Sequence, residues 1–165
     1  MIAPDTAREE AYCELSFSPN ISLIATVRRF VGEFYERVLG DAEVASRLVV
    51  ATHELLDNAV RYSADGQSSI RIGVGRADGE VHISIDTRNR TSPEHRAALE
   101  RLLEEMQETR DRSAFYQTLL RRSAKRTEGS GLGLGRIHAE SEMDLGFEVS
   151  GDTVRLRAAA RYPSK

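Results

Sequence analysis

The sequence predicts an α+β protein, a two-layer α/β sandwich in which helices cover one face of a mostly antiparallel sheet. Two observations lead to this prediction. Segments that alternate apolar and polar residues occur as neighbouring pairs, each joined by a short turn of aspartate and glycine that is typical of a β-hairpin. The other long segments place apolar residues at helical spacing, so they can cover one face of the hairpins.

The N-terminal part of the chain predicts one strand and two helices. Residues 12–17 alternate as a strand does, and the Ser-Pro-Asn sequence at 18–20 is suited to begin a helix. Gly40 ends that helix, and Asp41 can cap a second helix that ends near Ser63.

The rest of the chain predicts a hairpin, three helical segments and a closing hairpin. The first hairpin turns at Asp78-Gly79 and the last at Gly151-Asp152. Between them, Ser92-Pro93 begins a helix with a narrow apolar stripe among many charges. The approximate positions of these elements are strands at 69–75 and 80–87, a helix from 92, helices at 113–124 and 134–142, and strands at 147–150 and 153–159.

Composition limits the class of protein. A chain of 165 residues can bury a sizeable core without disulfides, and its single cysteine, Cys13, fits a reducing compartment. The first ten residues contain no apolar run, so we expect a cytoplasmic protein with neither a signal peptide nor a membrane span. A net charge of −3 and a pI near 5.9 argue against direct nucleic-acid binding, and the cysteine and histidines do not cluster at zinc-ligand spacing.

The predicted second helix carries a polar pair beside its apolar stripe. Glu54 and Asn58 are four residues apart and are therefore neighbours on one face, next to the apolar residues Leu55 and Ala59. They are expected at the rim of the core. An isolated pair of this kind is usually a solvated helix edge, so its meaning depends on the rest of the chain.

A second informative element follows further along the chain. Glycine occupies every second position of the segment Gly129-Ser130-Gly131-Leu132-Gly133-Leu134-Gly135, and a helix follows it. Glycine allows positive φ and close approach of the backbone, and the start of a helix directs unpaired N–H groups toward an anion. The pattern indicates a phosphate-binding loop, although on its own it is also typical of a tight packing turn.

In this order, the two elements resemble the GHKL superfamily of histidine-kinase-like ATPases, which includes sensor histidine kinases, gyrase-type ATPases and anti-sigma-factor serine kinases. The likeness is nearest to the stand-alone anti-sigma or switch serine kinases. These begin with a short strand and an R-x-F helix, as residues 15–19 and 27–31 do here. The resemblance covers roughly residues 13–160 and implies a Bergerat-type sandwich.

The resemblance also implies that the protein binds ATP and Mg²⁺. Asn58 would be the Mg²⁺ ligand, since a side-chain carbonyl oxygen suits a hard cation that needs few protein ligands. Glu54 would be the catalytic residue, a general base that accepts a proton from a hydroxyl during phosphoryl transfer. The residues that would wrap the phosphates are Gly129, Ser130, Gly131, Leu132, Gly133 and Gly135.

The sequence departs from the family pattern between these elements. Where the family has D-x-G-x-G, whose aspartate binds the adenine amino group, residues 86–90 read Asp-Thr-Arg-Asn-Arg. Thr87 and Asn89 continue the apolar face of the preceding strand, whereas Asp86 points to the other face unless a β-bulge intervenes. Asp86, Thr87 and Asn89 are all candidates for adenine binding, and strand parity favours Asn89.

We expect residues 12–160 to form a single GHKL-like domain, between a flexible N-terminus at 1–11 and a tail at 161–165. The helical segment at 91–126 occupies the place of the family's mobile lid over the nucleotide. Its amphipathic character also suits a docking surface, a dimer face or a helix hairpin packed on its own domain.

The function implied is that of an ATP-binding regulator, a serine/threonine switch kinase or anti-sigma-type protein that phosphorylates a small antagonist protein. Its partner would be that antagonist or a sigma-factor-like regulator, and a homodimer is a further option. The alternative is a non-catalytic binding module that kept the fold and lost nucleotide turnover. The degenerate middle motif is the feature that separates the two hypotheses.

Overall fold

A computed structural model describes residues 7–18, 21–124, 131–141 and 143–164. Across these residues the chain forms five strands and five helices. In chain order they are β1 (Arg8–Phe17), α1 (Ile21–Leu39), α2 (Ala42–Arg61), β2 (Ser68–Ala77), β3 (Glu80–Arg90), α3 (Pro93–Glu108), α4 (Arg112–Ser123), α5 (Leu132–Glu140), β4 (Asp144–Ser150) and β5 (Thr153–Pro163).

The strands form one sheet in the spatial order β1-β2-β3-β5-β4, and each neighbouring pair is antiparallel. Both predicted hairpins are present. The β2–β3 turn contains Asp78 and Gly79 with φ of 53° and 76°, and the β4–β5 turn contains Gly151 with φ of 63°. Aspartate and glycine adopt this left-handed backbone at lower cost than most residues, which is why these dipeptides mark the turns.

The helices cover one face of the sheet. Helix α2 packs on β2 and β3, and α1 and α5 pack against α2. Asp41 caps α2 as predicted, because its side chain accepts hydrogen bonds from the N–H groups of Glu43 at 3.0 Å and Val44 at 3.2 Å. The predicted two-layer α/β sandwich is confirmed. Its largest fully buried side chains include Tyr35, Leu48, Leu55, Leu56, Ile70, Ile72, Ile83, Ile85, Ile137 and Leu156.

Alternation along β3 decides which side chains meet the helices. Ile83 and Ile85 are about 1% and 0% exposed on the inner face, opposite Val74 and Ile72 of β2. The outer face carries mainly polar residues from neighbouring strands. A residue's parity on β3 therefore decides whether its side chain lies under the helices or on the outer face.

Strand β1 begins earlier than the predicted residue 12. Its polar first residues extend the pairing with β2, because Glu9 forms an ion pair with Arg71 at 2.5 Å and Glu10 one with Arg76 at 2.5 Å. Cross-strand ion pairs of this kind support a strand that has no apolar alternation to mark it. Among the residues that the structure describes, no helix has both the length and the apolar character needed to cross a membrane.

Candidate functional site

A cavity of about 1050 Å³ lies between α2, the α3–α4 pair and the first turn of α5. The ends of β3 and β5 close one side of it through Asn89, Val154 and Leu156. Much of the predicted site lines this cavity, namely Glu54, Asn58, Asn89, Gly131, Leu132 and Gly133. The fold thus brings the Asn-containing helix and the glycine-rich segment to one place.

Helix α2 presents Glu54 and Asn58 to the cavity because its opposite side is held in the core. Leu55 and Ala59 are completely buried, whereas Glu54 and Asn58 are half-buried. Asp57 also lines the cavity. One turn of α2 therefore supplies two carboxylates and a carboxamide to the cavity wall.

The Glu54 carboxylate contacts α5. Its Oε1 accepts a hydrogen bond from Nη1 of Arg136 at 3.4 Å, and its side chain is 20% exposed. Arg136 also donates from Nε to Glu140 at 2.8 Å, and this hydrogen bond raises the pKa of Arg136, with the nearby charge of Glu54 adding to it. Arg136 is therefore a permanent cation beside Glu54. Sequence reasoning missed it, because nothing local to residue 136 indicates a partner on α2.

Two glycines let the start of α5 approach its neighbours closely. Gly131 precedes the helix with φ of 65°, and a Cβ there would lie 2.5 Å from Cδ2 of Leu102. A Cβ on Gly133 would lie 2.5 Å from Oε2 of Glu54. Gly131 is favoured by its left-handed φ, whereas a side chain at 133 would have to displace the Glu54 carboxylate. The first turn of α5, whose N–H groups have no partner within the helix, thereby lies at the cavity wall.

Gly135, a further member of the predicted glycine-rich loop, packs away from the cavity. Gly135 is buried against α4, where a Cβ would lie 2.5 Å from Leu119 and 3.3 Å from Tyr116, and it does not line the cavity. Gly129 and Ser130 lie outside the described residues, so their assignment stays a prediction.

The middle motif is split between the two faces of the sheet. Strand β3 pairs with β5 in unbroken register from Glu80 to Arg90, so no bulge interrupts its alternation there. Asn89 lines the cavity, and its Nδ2 donates to the backbone oxygens of Tyr62 at 3.4 Å and Arg90 at 3.2 Å. Thr87 has the same parity, but it is 1% exposed and does not line the cavity.

Asp86 lies on the outer face, on the other side of the sheet from the cavity. Its carboxylate is 6% exposed and accepts hydrogen bonds from Arg155 at 2.7 Å and from Arg157 at 3.0 and 3.1 Å. Both arginines belong to β5, and Arg157 is directly opposite Asp86 in the register. The structure therefore engages Asp86 in an ion-pair cluster and does not bring it to the cavity.

The structure adds Tyr62 and His95 to the site, which no sequence pattern selects. The rings of Tyr62 and His95 lie 4.7 Å apart between centroids and line the cavity next to Asn89. Arg122 of α4 also lines it and forms an ion pair with Glu105 of α3 at 2.7 Å. These pairs join residues of different elements, so only the tertiary fold reveals them.

The cavity provides few protein ligands for a metal ion. Within the described ranges, no group of three or more histidine, cysteine, aspartate or glutamate side chains is arranged to hold one. Mg²⁺ commonly takes one or two protein ligands and completes its shell with phosphate oxygens and waters. The carboxamide oxygen of Asn58 therefore fits a Mg²⁺ ion that arrives with a nucleotide.

A second groove of about 700 Å³ runs between α1 and α2. It is lined by Arg28, Arg29 and His53, among others, and shares only Asp57 with the larger cavity. None of the predicted site residues lines it.

Comparison with known proteins agrees with this geometry. The profile of the histidine kinase-like ATPase domain matches residues 17–157, and the chain belongs to this family. No curated protein sequence matches the chain. Among solved structures, it is similar to a chain in the crystal structure of the SiaB–SiaC complex from Pseudomonas aeruginosa, with a TM-score of 0.65 at 12% identity over 91% of this chain and 89% of that one. At this identity the similarity concerns the fold.

Proposed function

We propose that the protein binds Mg-ATP in the cavity between α2 and α5 and acts as a switch kinase, transferring the γ-phosphoryl group to a serine or threonine of a small protein. One observation carries the proposal. Glu54, Asn58 and the Gly131–Gly133 turn, which are remote in sequence, line the same cavity. They are the residue types that phosphoryl transfer to a hydroxyl requires.

The phosphates would lie against the first turn of α5. The N–H groups of this turn and the helix dipole favour an anion. Glycine at 131 and 133 has no Cβ that would block the approach of phosphate to the backbone. Asn58 would hold Mg²⁺ through its side-chain oxygen. When bound, Mg²⁺ neutralises phosphate charge during the transfer.

Glu54 would act as the general base. Its carboxylate lines the cavity one helical turn from Asn58, so an acceptor hydroxyl that enters the cavity can come within its reach. The proton of the hydroxyl would pass to a Glu54 oxygen as the hydroxyl oxygen attacks the γ-phosphorus, and ADP would leave with the electrons of the broken P–O bond.

Asn89 would read the adenine base. Its amide nitrogen donates to two backbone carbonyl oxygens, which fixes the orientation of the carboxamide and leaves Oδ1 as an acceptor. An acceptor oxygen at the cavity wall matches the exocyclic amino group of adenine. The Tyr62 and His95 rings beside it offer an apolar surface to the base.

The α3–α4 pair would serve as the lid over the nucleotide. Leu99, Leu102 and Leu119 from these helices line the cavity opposite α2. A lid built from two helices excludes water from the phosphoryl group during transfer.

A protein partner is part of the proposal. The similar solved chain was crystallised within a complex of two proteins, and the resemblance to anti-sigma and switch kinases implies a small antagonist or a sigma-factor-like regulator. We further propose a cytoplasmic location and no direct contact with nucleic acid. A homodimer is compatible with these functions.

One observation favours a second candidate function, a non-catalytic module. Asp86 is held by Arg155 and Arg157 on the outer face, and the glycines of the middle motif are missing. A chain that no longer binds adenine would be a scaffold that captures its partner without nucleotide.

The two functions differ in phosphoryl transfer. ATP labelled at the γ-phosphate would be incubated with the protein and an extract of its native cells. A parallel reaction would contain the Glu54→Gln variant instead. The kinase proposal predicts a labelled protein band that depends on Glu54 and Mg²⁺. A folded wild-type protein that transfers no label, yet binds a partner equally with and without ATP, would establish the module instead.

A further inference from the structure

Two residues of α5, Arg136 and Gly133, lie close to the carboxylate of Glu54. Oε1 lies 3.4 Å from Nη1 of Arg136, and Oε2 lies where a Cβ on Gly133 would be only 2.5 Å away. One contact is an ion pair, and the other is a space that a Cβ at position 133 could fill only by moving the Glu54 carboxylate. Together they restrict the rotamer of Glu54 at the cavity wall.

We propose that Arg136 is a positioning residue for the general base, and that glycine at 133 lets the Glu54 carboxylate keep its place beside α5. This inference rests on the proposed role of Glu54. Helix α5 would then both bind the anion and orient the Glu54 carboxylate.

Arg136 acts through Glu54 and not on the nucleotide. Glu54 and Gly133 line the cavity, but Arg136 is not among its lining residues. Its Nε is engaged by Glu140 at 2.8 Å, on its own helix, so Glu140 braces the guanidinium while Nη1 reaches Glu54. Arg136 therefore approaches the carboxylate from behind the cavity wall.

The pair contributes little to folding, so its loss should appear in turnover. The side chains of Arg136 and Glu54 are 43% and 20% exposed, and partly exposed ion pairs add little to stability. Misplacing a catalytic group by about 1 Å can slow a reaction by roughly 10²-fold. Arg136→Gln should therefore fold normally and lose activity.

The experiment compares ATP hydrolysis and Mg-ATP binding in matched variants. Arg136→Gln should lower kcat by roughly 10-fold or more while the Kd for Mg-ATP changes less than about twofold, and Arg136→Lys should restore part of kcat. Arg47→Gln is the control, since Arg47 pairs with Glu43 at 2.5 Å, is 38% exposed, and lies outside both cavities. Unchanged kcat in Arg136→Gln, or an equal loss in Arg47→Gln, would overturn the proposal.

A second measurement needs no activity, and it separates failure of this inference from failure of the proposed kinase. Gly133→Ala should shift Tm less favourably in the wild type than in a Glu54→Ala protein, because in the wild type the new Cβ forces the Glu54 carboxylate to move. In a Glu54→Ala background the obstacle is gone, and the same substitution should be neutral or raise Tm because alanine favours a helix over glycine. Equal shifts in both backgrounds would refute the contact, whether or not the protein hydrolyses ATP.

Discussion

Replacing Asn89 by alanine removes the acceptor that the site offers to adenine. The substitution deletes Oδ1 at the cavity wall, and with it the two hydrogen bonds from Nδ2 to the oxygens of Tyr62 and Arg90. The oxygen of Arg90 keeps a second donor, the N–H of Ala64 at 2.8 Å, so only the Tyr62 oxygen loses a partner. We therefore expect a stability loss of about 1 kcal/mol, the low end for an unsatisfied buried group.

The larger effect should be on nucleotide choice. A hydrogen bond from the adenine amino group contributes about 0.5–1.5 kcal/mol, and a base that presents an oxygen there adds repulsion against Oδ1. The wild type should bind ATP roughly 10-fold or more tightly than ITP or GTP, and in Asn89→Ala the preference should fall to within about twofold.

The assay is calorimetric titration with the three nucleotides, beside Asp86→Asn as a control on the outer face of the same strand. Asp86→Asn should keep the preference for ATP, since Asp86 does not line the cavity. Adenine recognition by Asn89 is refuted if the Asn89→Ala protein still prefers ATP, or if Asp86→Asn abolishes the preference for ATP.

Further predictions concern the base, the loop, the outer face and pH. Glu54→Gln should bind Mg-ATP as the wild type does but transfer phosphate roughly 10²- to 10⁴-fold more slowly, and an active variant would place the base elsewhere. Gly131→Ala should lower the free energy of unfolding by more than about 1 kcal/mol, because φ is 65° and Leu102 occupies the space; denaturant unfolding that matches the wild type would contradict this. Asp86→Ala should lower the free energy of unfolding by about 1.5–3 kcal/mol, because it removes the buried carboxylate that accepts from Arg155 and Arg157, while Arg155 keeps Glu148 at 3.3 Å; a Tm near that of the wild type would show that the cluster is dispensable. Burial, assisted by the charge of Arg112, lowers the pKa of His138 below its ordinary 6.5, against weaker opposing effects of the Met143 backbone and Asp144. The folded protein therefore resists protonation of His138, and its free energy of unfolding should decline as pH falls below 6.5. His138→Gln should weaken this decline, and identical plots of unfolding free energy against pH would reject the assignment.

Local patterns predicted the fold because each element carries its own signal. The Asp78-Gly79 and Gly151-Asp152 turns fix both hairpins, and the alternation of β3 is enough to place Asn89 and Asp86 on opposite faces. The same alternation could not show that Asp86 has partners, because Arg155 and Arg157 come from β5, far along the chain.

The sequence indicated which residues are candidates for the site, but not how they pack. The spacing of Glu54 and Asn58 and the alternating glycines were visible in the sequence, and Glu54, Asn58, Gly131 and Gly133 line one cavity. The contacts of Gly133 with Glu54, and of Gly135 with α4, depend on how closely α5 packs on its neighbours. Such distances follow from tertiary packing, which no local pattern encodes.

Binding of Mg-ATP to the wild type and to Asn58→Ala tests the proposed function most directly. Calorimetry and thermal shift would be run with Mg²⁺ and with a chelator, on protein that circular dichroism shows to be folded. The proposal predicts Mg-dependent binding in the wild type that is lost in Asn58→Ala, with Tm in the absence of nucleotide unchanged, because a half-buried carboxamide contributes little to the core. A folded wild-type protein that binds no nucleotide at millimolar Mg-ATP, or an Asn58→Ala protein with unaltered Mg-dependent affinity, would contradict it.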